Sequence, residues 1–405
     1  MNATVFINAL KEQQLVDPQI ITALSTSSNF KGEVANLIKT GVLTKYQVNM
    51  LLQGKSVIIG NYIILDAIGE GGMGQVFKVR NKTLNTFAAL KVIHQNRLQK
   101  SQTAAKRFKR EIQITSKLNH LNVVRAYDAN EINGSLILVM EYVEGTDLSK
   151  LVKQNGPLPI DKACNYISQV AAGLQHAHEL GMVHRDIKPQ NLLLNKMGEV
   201  KILDMGLARS LESSDETTLT QEGSVVGTPD YLAPEQAVSA HNVDIRADIY
   251  SLGVTFYYLL TGKVPFTGGS LTEKLLKHQT EDPTPVEKLR PEVPANVAAV
   301  IRKMMAKKPA NRYQVPQEVV DKLSELNNSK AIQNTSRFPH RIKLMAGGII
   351  MLLFITLLMF GGDKDSPRPS FNTIPASEQI TYLSDLQEEA VHALANRLPD
   401  LAEVT

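Results

Sequence analysis

The segment His184-Arg185-Asp186-Ile187-Lys188-Pro189-Gln190-Asn191, with Asp204-Met205-Gly206 downstream of it, most constrains what this chain can fold into. It sets an acid, a lysine, an amide and a second acid at short fixed spacings. Upstream, in matching order, lie a glycine-rich turn from Gly69 to Gly74 and a strand lysine, Lys91. A polar surface loop before a hairpin would carry such residues only by coincidence at four positions. A fold that draws these distant stretches into one cleft accounts for all of them.

The residue types point to phosphoryl transfer. In Gly69-Glu70-Gly71-Gly72-Met73-Gly74-Gln75-Val76 the missing side chains let backbone N–H groups approach phosphate oxygens. Alone, the turn also fits a dinucleotide-binding loop or a plain glycine hairpin. The former should lead into a helix, whereas Gln75 to Arg80 reads as a strand. Lys91 ends Ala88-Ala89-Leu90 on a strand that would run under the turn; by itself it reads equally as an edge-strand lysine. A buried cation needs a partner, and Glu111 on the next predicted helix has the sign and placement. Such a pair would aim Lys91 at the α- and β-phosphates. Asp186 is the candidate acceptor of a substrate hydroxyl's proton, and Lys188 can neutralise charge on the transferring group. Asn191 and Asp204 offer hard oxygen ligands suited to Mg²⁺, with Mn²⁺ as the alternative ion. Nothing resembles a zinc or thiolate site.

The rest of the chain frames this cleft. At 405 residues it exceeds one ordinary domain core, so two or three folded units are expected. Residues 1–55 read as a small helical module, because Asp17-Pro18 has a cap-then-proline form and Thr44 with Gln47 makes a capping box. A packing or spacer role suits this module better than a partner-binding one. Strands are predicted at Tyr62-Ile63-Ile64-Leu65, Phe77-Lys78-Val79 and Ala88 to Ile93, within a strand-rich stretch reaching about Tyr142. One helix interrupts it, from Ala104 to Leu118, with Phe108, Ile112, Thr115 and Leu118 at helical spacing. A mostly helical region follows from about Asp147 to Leu326.

Leu344 to Phe360, extended by Gly361 and Gly362, carries no charge. As a helix it would span roughly 28 Å against a hydrocarbon core of about 30 Å, so residues 344–362 are expected to form a single transmembrane helix. Arg337, Arg341 and Lys343 precede it, which puts the amino-terminal portion in the cytoplasm. Residues 327–343 would then be a juxtamembrane linker and 363–405 an extracytoplasmic tail. In that tail Ile380, Leu383, Leu386, Ala390 and Leu394 could form one helical stripe. The 44 basic and 40 acidic residues give a net charge of only +4, and no basic run resembles a nucleic-acid footprint, so nucleic acid is not an expected partner. Cys164 is the only cysteine, which excludes an intrachain disulfide and favours a reducing compartment. Met1 to Leu10 does not look like a cleaved signal peptide.

From about Gly60 to Leu326 the chain resembles a eukaryotic-type protein kinase domain, and its layout is similar to that of bacterial membrane-anchored Hanks-type Ser/Thr kinases. The resemblance implies an α+β, bilobal protein-kinase fold, with a β-rich N-lobe at 60–143 and a helical C-lobe at 144–326. It implies transfer of the γ-phosphoryl group of Mg-ATP to Ser/Thr hydroxyls of proteins. Lys188 in the His184–Asn191 string fits the Ser/Thr class. By resemblance Asp186 is the catalytic base with Lys188 beside it, Asn191 and Asp204 are metal ligands, and Lys91 anchors phosphate with Glu111 as ion-pair partner. Gly69, Gly71 and Gly74 would cover the phosphates, and Val76, Ala89 and Leu193 would clamp the adenine. Met140 would guard the back of the pocket, and the backbone of Glu141 and Val143 would form the hinge.

Glu235 of Ala233-Pro234-Glu235 is expected to pair with Arg312, and Asp248 to brace the catalytic loop. Thr218 and Thr220 are the activation-loop phosphorylation candidates, to be held by Arg185, and Thr228 would position substrate. A homodimer and a single-pass place in the plasma (inner) membrane, kinase domain inward, complete the expectation. Two departures stand out: Met205 where phenylalanine is usual, and Ala88 where valine is commoner. A silent pseudokinase scaffold would normally have lost Lys91, Asp186 or Asp204, and none is lost. A small-molecule kinase is disfavoured by the peptide-positioning look of Gly227-Thr228-Pro229 through Glu235.

Overall fold

The computed structural model describes residues 2–71, 74–93, 115–132, 134–205, 229–238 and 243–336. Glu111, Gly206, Thr218, Thr220, Thr228, the span expected at 344–362, the tail at 363–405 and most of the helix expected from Ala104 to Leu118 lie outside the described residues. Among the described residues no helix is long and apolar enough to cross a membrane.

Four short helices open the chain: α1 (Ala3–Gln13), α2 (Pro18–Thr26), α3 (Phe30–Lys39) and α4 (Lys45–Leu52). Each starts on a side-chain cap, from Asn2, Asp17, Asn29 and Thr44 in turn, which satisfies amide groups the first helical turn leaves unpaired. The expected cap-then-proline at Asp17-Pro18 and the reciprocal Thr44–Gln47 capping box are both present.

A six-stranded antiparallel sheet follows: β1 (Ile58–Ile59), β2 (Tyr62–Gly71), β3 (Gly74–Asn81), β4 (Phe87–Ile93), β5 (Ala126–Ile132) and β6 (Ser135–Met140). Their spatial order is β1-β2-β3-β4-β6-β5. Side chains alternate between the two faces of a strand. One face carries Phe77, Val79, Ala88, Leu90, Ile137 and Val139, which share a core with Phe6, Leu10, Leu24, Val34, Val48 and Leu51 of the four helices. The helices therefore cover one side of the sheet and leave the other, with Val76, Ala89, Lys91 and Met140, for the cleft.

Beyond the sheet lie β7 (Gly145–Asp147), α5 (Leu148–Asn155) and α6 (Ile160–Glu179), then β8 (Leu192–Asn195) and β9 (Val200–Ile202). β7, β8 and β9 form a second small sheet, which the sequence pattern had folded into a mostly helical region. α7 (Pro234–Val238), α8 (Arg246–Thr261), α9 (Leu271–Thr280), α10 (Val286–Leu289), α11 (Ala295–Met304) and α12 (Pro316–Ser336) complete the helical part. α8 is buried at every position from Ala247 to Leu260, mostly apolar residues with Asp248, Ser251 and Thr255 among them. It packs with α6 and α11 in the largest core, where Ile167, Leu174, Ile249, Leu252, Phe256 and Ile301 meet. α12 continues to Ser336, into the stretch expected as linker. Residues 1–332 form one compact unit, and 333–405 a second of which only the end of α12 is described.

Candidate active site

Lys91 stands on β4 opposite Val76 of β3 and Leu138 of β6. Its side chain is only 5% exposed, and its Nζ lies 2.7 Å from Oδ1 of Asp204, which is 37% exposed. The pair joins the six-stranded sheet to the segment that leaves β9. The lysine was expected to meet Glu111, which is outside the described residues; the partner seen is the second acid of the site.

Asp186 is held by its own loop. Lys188 Nζ lies 2.8 Å from Oδ2. Asn191 Nδ2 donates to the same oxygen at 3.0 Å and to the Asp186 carbonyl at 2.8 Å. A 3₁₀ turn over Pro189–Asn191, started by proline, brings the amide back over the acid. The Leu203 N–H donates to the Asn191 carbonyl at 2.9 Å, so this loop is tied to the residue just before Asp204. Lys91, Asp186, Lys188, Asn191 and Asp204 thus belong to one connected set.

Arg185 and Asp204 both adopt left-handed backbone, with φ of 67° and 52°. Such values in non-glycine residues persist where surrounding contacts over-determine them. For Arg185 that contact is Asp248, which is fully buried on α8. Its carboxylate accepts from the Arg185 N–H at 2.7 Å, the His184 N–H at 2.8 Å and His178 Nε2 at 2.8 Å. Burial alone would push this carboxyl upward. The hydrogen bond and charge of His178, the nearby His184 and the Arg185 N–H overcome that and hold it below the usual carboxylate range. His184 in turn donates from Nε2 to the Leu203 carbonyl at 2.8 Å and accepts from the Asp186 N–H at Nδ1. The expectation that Asp248 braces this loop is met.

The pocket roof also assembles. Ala89, Val124 and Met140 form a buried cluster with Val76, Tyr142, Val143 and Leu203 against it. Met140 is placed by its register opposite Ala89 and Ala126. Leu193 lies on β8, paired with Asp147 and Lys201, and is not part of that cluster. The Glu141 N–H donates to the Arg125 carbonyl at 2.9 Å, so the carbonyl is what Glu141 has left for a ligand. Its carboxylate pairs with Lys201 at 2.7 Å.

Gly71 and Gly74 close the β2–β3 hairpin as a register pair. A Cβ on Gly74 would sit 1.9 Å from the Val92 carbonyl, so the neighbouring strand already forbids a side chain there. A Cβ on Gly69 would meet only Val76, at an ordinary 3.7 Å. Gly74 is demanded by the protein itself, whereas Gly69 keeps surface clear beside the cleft.

The donor set suits a hard divalent cation. Asn191 has committed its amide nitrogen to Asp186, which leaves Oδ1, and Asp204 has Oδ2 beyond the oxygen on Lys91. Among the described residues no cluster of three or more His, Cys, Asp or Glu could hold a metal unaided. Mg²⁺ commonly takes one or two protein oxygens and fills its shell with phosphate and water, so two ligands suffice.

A family profile described as Protein kinase domain matches residues 62–323. The chain belongs to the protein kinase domain family. Its kinase region is 39% identical over 269 residues to the serine/threonine-protein kinase PrkC of Bacillus subtilis, covering 66% of this chain and 41% of PrkC. It is 37% identical over 262 residues to PknB of Mycobacterium leprae, covering 64% of this chain and 42% of PknB. The match spans about two-fifths of the length of these curated relatives. Among solved structures, the Mycobacterium tuberculosis PknI kinase domain superposes with a TM-score of 0.53 at 26% identity, covering 66% of this chain and 96% of that domain. The bilobal architecture, a β-sheet lobe followed by a helical lobe, is that of the kinase fold.

Other parts of the kinase frame fall into place. Arg312 is 2% exposed and grips Glu235 with both terminal nitrogens, at 2.6 and 2.8 Å, as expected. Met205 is buried in the helical core with Ile202 and Leu192. Sequence reasoning missed His178, Lys201 and Gln236, whose amide donates to the Arg185 carbonyl at 2.9 Å. Each acts across a long stretch of chain and has no local spacing to flag it; only the position of Gln236 directly after Glu235 offered a hint.

Proposed function

We propose that this chain is an active ATP-dependent protein serine/threonine kinase, transferring the γ-phosphoryl group of Mg-ATP to Ser or Thr hydroxyls of proteins. The observation that carries the reading is the single connected set formed by Lys91, Asp204, Asn191, Asp186 and Lys188. In this reading Lys91 takes the nucleotide's α- and β-phosphates, beneath a turn in which Gly69, Gly71 and Gly74 keep side chains out of the way. Val76, Ala89 and Met140, joined by Leu193 from the second sheet, enclose the adenine, and the Glu141 carbonyl and Val143 backbone meet its polar edge. Asn191 Oδ1 and Asp204 Oδ2 hold the divalent ion. When bound, that ion neutralises phosphate charge.

Asp186 orients the acceptor hydroxyl and takes its proton, while Lys188 offsets charge on the group in transit. Because Lys188 and Asn191 both grip Asp186, the acid is pre-set rather than free to rotate, and positioning is what a loose phosphoryl-transfer transition state requires. Arg185 has a buried Nε with no hydrogen-bond partner among the described residues. That supports its use as a clamp for a phosphorylated Thr218 or Thr220, with Thr228 positioning substrate. Residues 344–362 are read as an anchor in the plasma membrane, with the kinase domain on the cytoplasmic side, from their lack of charge and the basic residues before them.

The test is incubation of purified chain with γ-labelled ATP, Mg²⁺ and a generic basic protein. Label on Ser and Thr, absent in a Lys91→Ala variant, is expected; no label under any condition would leave a scaffold. Alkaline extraction of membranes tests the anchor, which fails if the chain appears in the soluble fraction.

A further inference from the structure

The family match begins at residue 62, so α1–α4 lie outside it, yet they do more than cover apolar surface. β2 changes register between Ile64, which pairs with Val79, and Asp66, which pairs with Lys78. Leu65 is the extra residue of that bulge, and bulges bend a strand and re-aim the residues beyond them. The carbonyls of Ile64 and Leu65 are both met from α4. Thr44 Oγ1 donates to Leu65 at 2.5 Å, and Gln47 Nε2 donates to Ile64 at 2.8 Å.

The same two side chains cap α4. Thr44 Oγ1 accepts from the Gln47 N–H at 3.1 Å, and Gln47 Oε1 accepts from the Thr44 N–H at 2.8 Å. Gln47 is 3% exposed, so its amide has no water to fall back on. Flipping it would set oxygen against the Ile64 carbonyl and nitrogen against the Thr44 N–H, a double mismatch. Only one orientation is satisfied, and it fastens α4 to β2 at the bulge. Tyr46, between the two, packs on Phe77 of β3 with ring centroids 6.2 Å apart. Downstream, β2 shifts register again between Ala67 and Gly69 and runs straight into the glycine turn.

We propose that Thr44 and Gln47 are positioning residues for the nucleotide. By pinning the β2 bulge they set where Gly69 and Gly71, at the end of that strand, lie relative to Val76 and Lys91, and so govern nucleotide affinity rather than the transfer step. This rests on the nucleotide-binding reading of the cleft. A helix module that merely buried apolar surface would not need to satisfy two carbonyls at the irregular point of the strand that leads to the turn.

The experiment uses the full chain, with calorimetric binding of Mg-ATP and steady-state kinetics run well below each variant's melting temperature. Gln47→Glu keeps the cap acceptor but opposes the Ile64 carbonyl with an oxygen, and Thr44→Val removes the donor to Leu65. Each is expected to raise Kd and KM for ATP by about two- to tenfold, the equivalent of one lost hydrogen bond, with kcat within about twofold. Thr44→Ser, which keeps the hydroxyl, restores wild-type KM. Unchanged KM in Thr44→Val, even with a lowered Tm, overturns the proposal, as does a fall in kcat at constant KM. Wild-type chain that binds no Mg-ATP would instead overturn the nucleotide reading on which the proposal stands.

Discussion

Lys91 Nζ and Asp204 Oδ1 meet at 2.7 Å across the cleft, one from the sheet and one from beyond β9, with the lysine almost closed to solvent and the acid over a third open. On the proposed reading, this geometry would hold the phosphate-binding cation beside the oxygens that take the metal. Lys91→Met removes the buried member of the pair and its desolvation cost, and the carboxylate left behind, Asp204, is open enough for water to take the lysine's place. The substitution is therefore expected to change folding stability by about 1 kcal/mol or less, the range of a solvated pair. Phosphoryl transfer should fall by about 10²–10³-fold, as for loss of one electrostatic stabiliser. Urea denaturation beside a transfer assay checks both; a large loss of stability with activity retained would assign Lys91 a structural role.

Asp248 holds the Arg185 backbone in its left-handed state by accepting two adjacent N–H groups. Asp248→Asn turns one of the two acceptor oxygens into an amide nitrogen where three donors point, so stability should drop by about 2–3 kcal/mol and transfer with it. The carboxyl is held below the usual range, so what it contributes is present above the unfolded value near 3.9 and is lost as pH falls through its folded value. Acid titration of unfolding, with and without the substitution, measures this. Equal acid sensitivity would contradict it.

Arg312 is expected to tolerate no substitute. Besides gripping Glu235, it donates to the carbonyls of Ala306, Arg246 and Lys307 and lies over the Tyr250 ring. A lysine cannot reproduce a planar fork with five donors. Both Arg312→Lys and Arg312→Ala should lose about 3–5 kcal/mol, the range for breaking a buried pair. Recovery of wild-type stability by the lysine variant would show that charge alone suffices.

His278 supplies a pH signature in the helical lobe. It is 1% exposed, its Nδ1 lies 2.8 Å from the Tyr250 hydroxyl, and burial followed by the charge of Lys307 lowers its pKa to about 4. The unfolded chain takes up that proton near pH 6.5 and the folded chain resists it, so stability falls as pH drops below neutrality. Between pH 7 and pH 5 this histidine should cost about 2 kcal/mol. His278→Gln retains a polar partner for Tyr250 and should remove that slope; identical slopes for both proteins would refute the assignment.

Much of the site was legible because its residues crowd into short strings. Asp186, Lys188 and Asn191 lie within one loop, so spacing singled them out as a group, though not the grip of Lys188 and Asn191 on Asp186; the Thr44–Gln47 box lies within one helical turn and spacing predicted it outright. Glu235 and Arg312 lie far apart in sequence and were paired only through the family resemblance. What spacing could not convey was contact across the fold. The pairing of Lys201 with Glu141, the hold of Asp248 on two amides and the core shared by α1–α4 with the sheet depend on tertiary packing that leaves no periodic trace. Gly74 shows a subtler limit: a glycine read as clearance for phosphate is also required by the Val92 carbonyl beside it.

The most direct measurement is the rate of γ-phosphoryl transfer to a protein Ser or Thr by Asp186→Asn beside the wild-type chain, with Mg-ATP binding measured on both. Asparagine keeps the size of the acid and removes its ability to take a proton. The account predicts a fall of about 10²–10⁴-fold in transfer with nucleotide affinity within about threefold. Transfer at the wild-type rate by Asp186→Asn would contradict it.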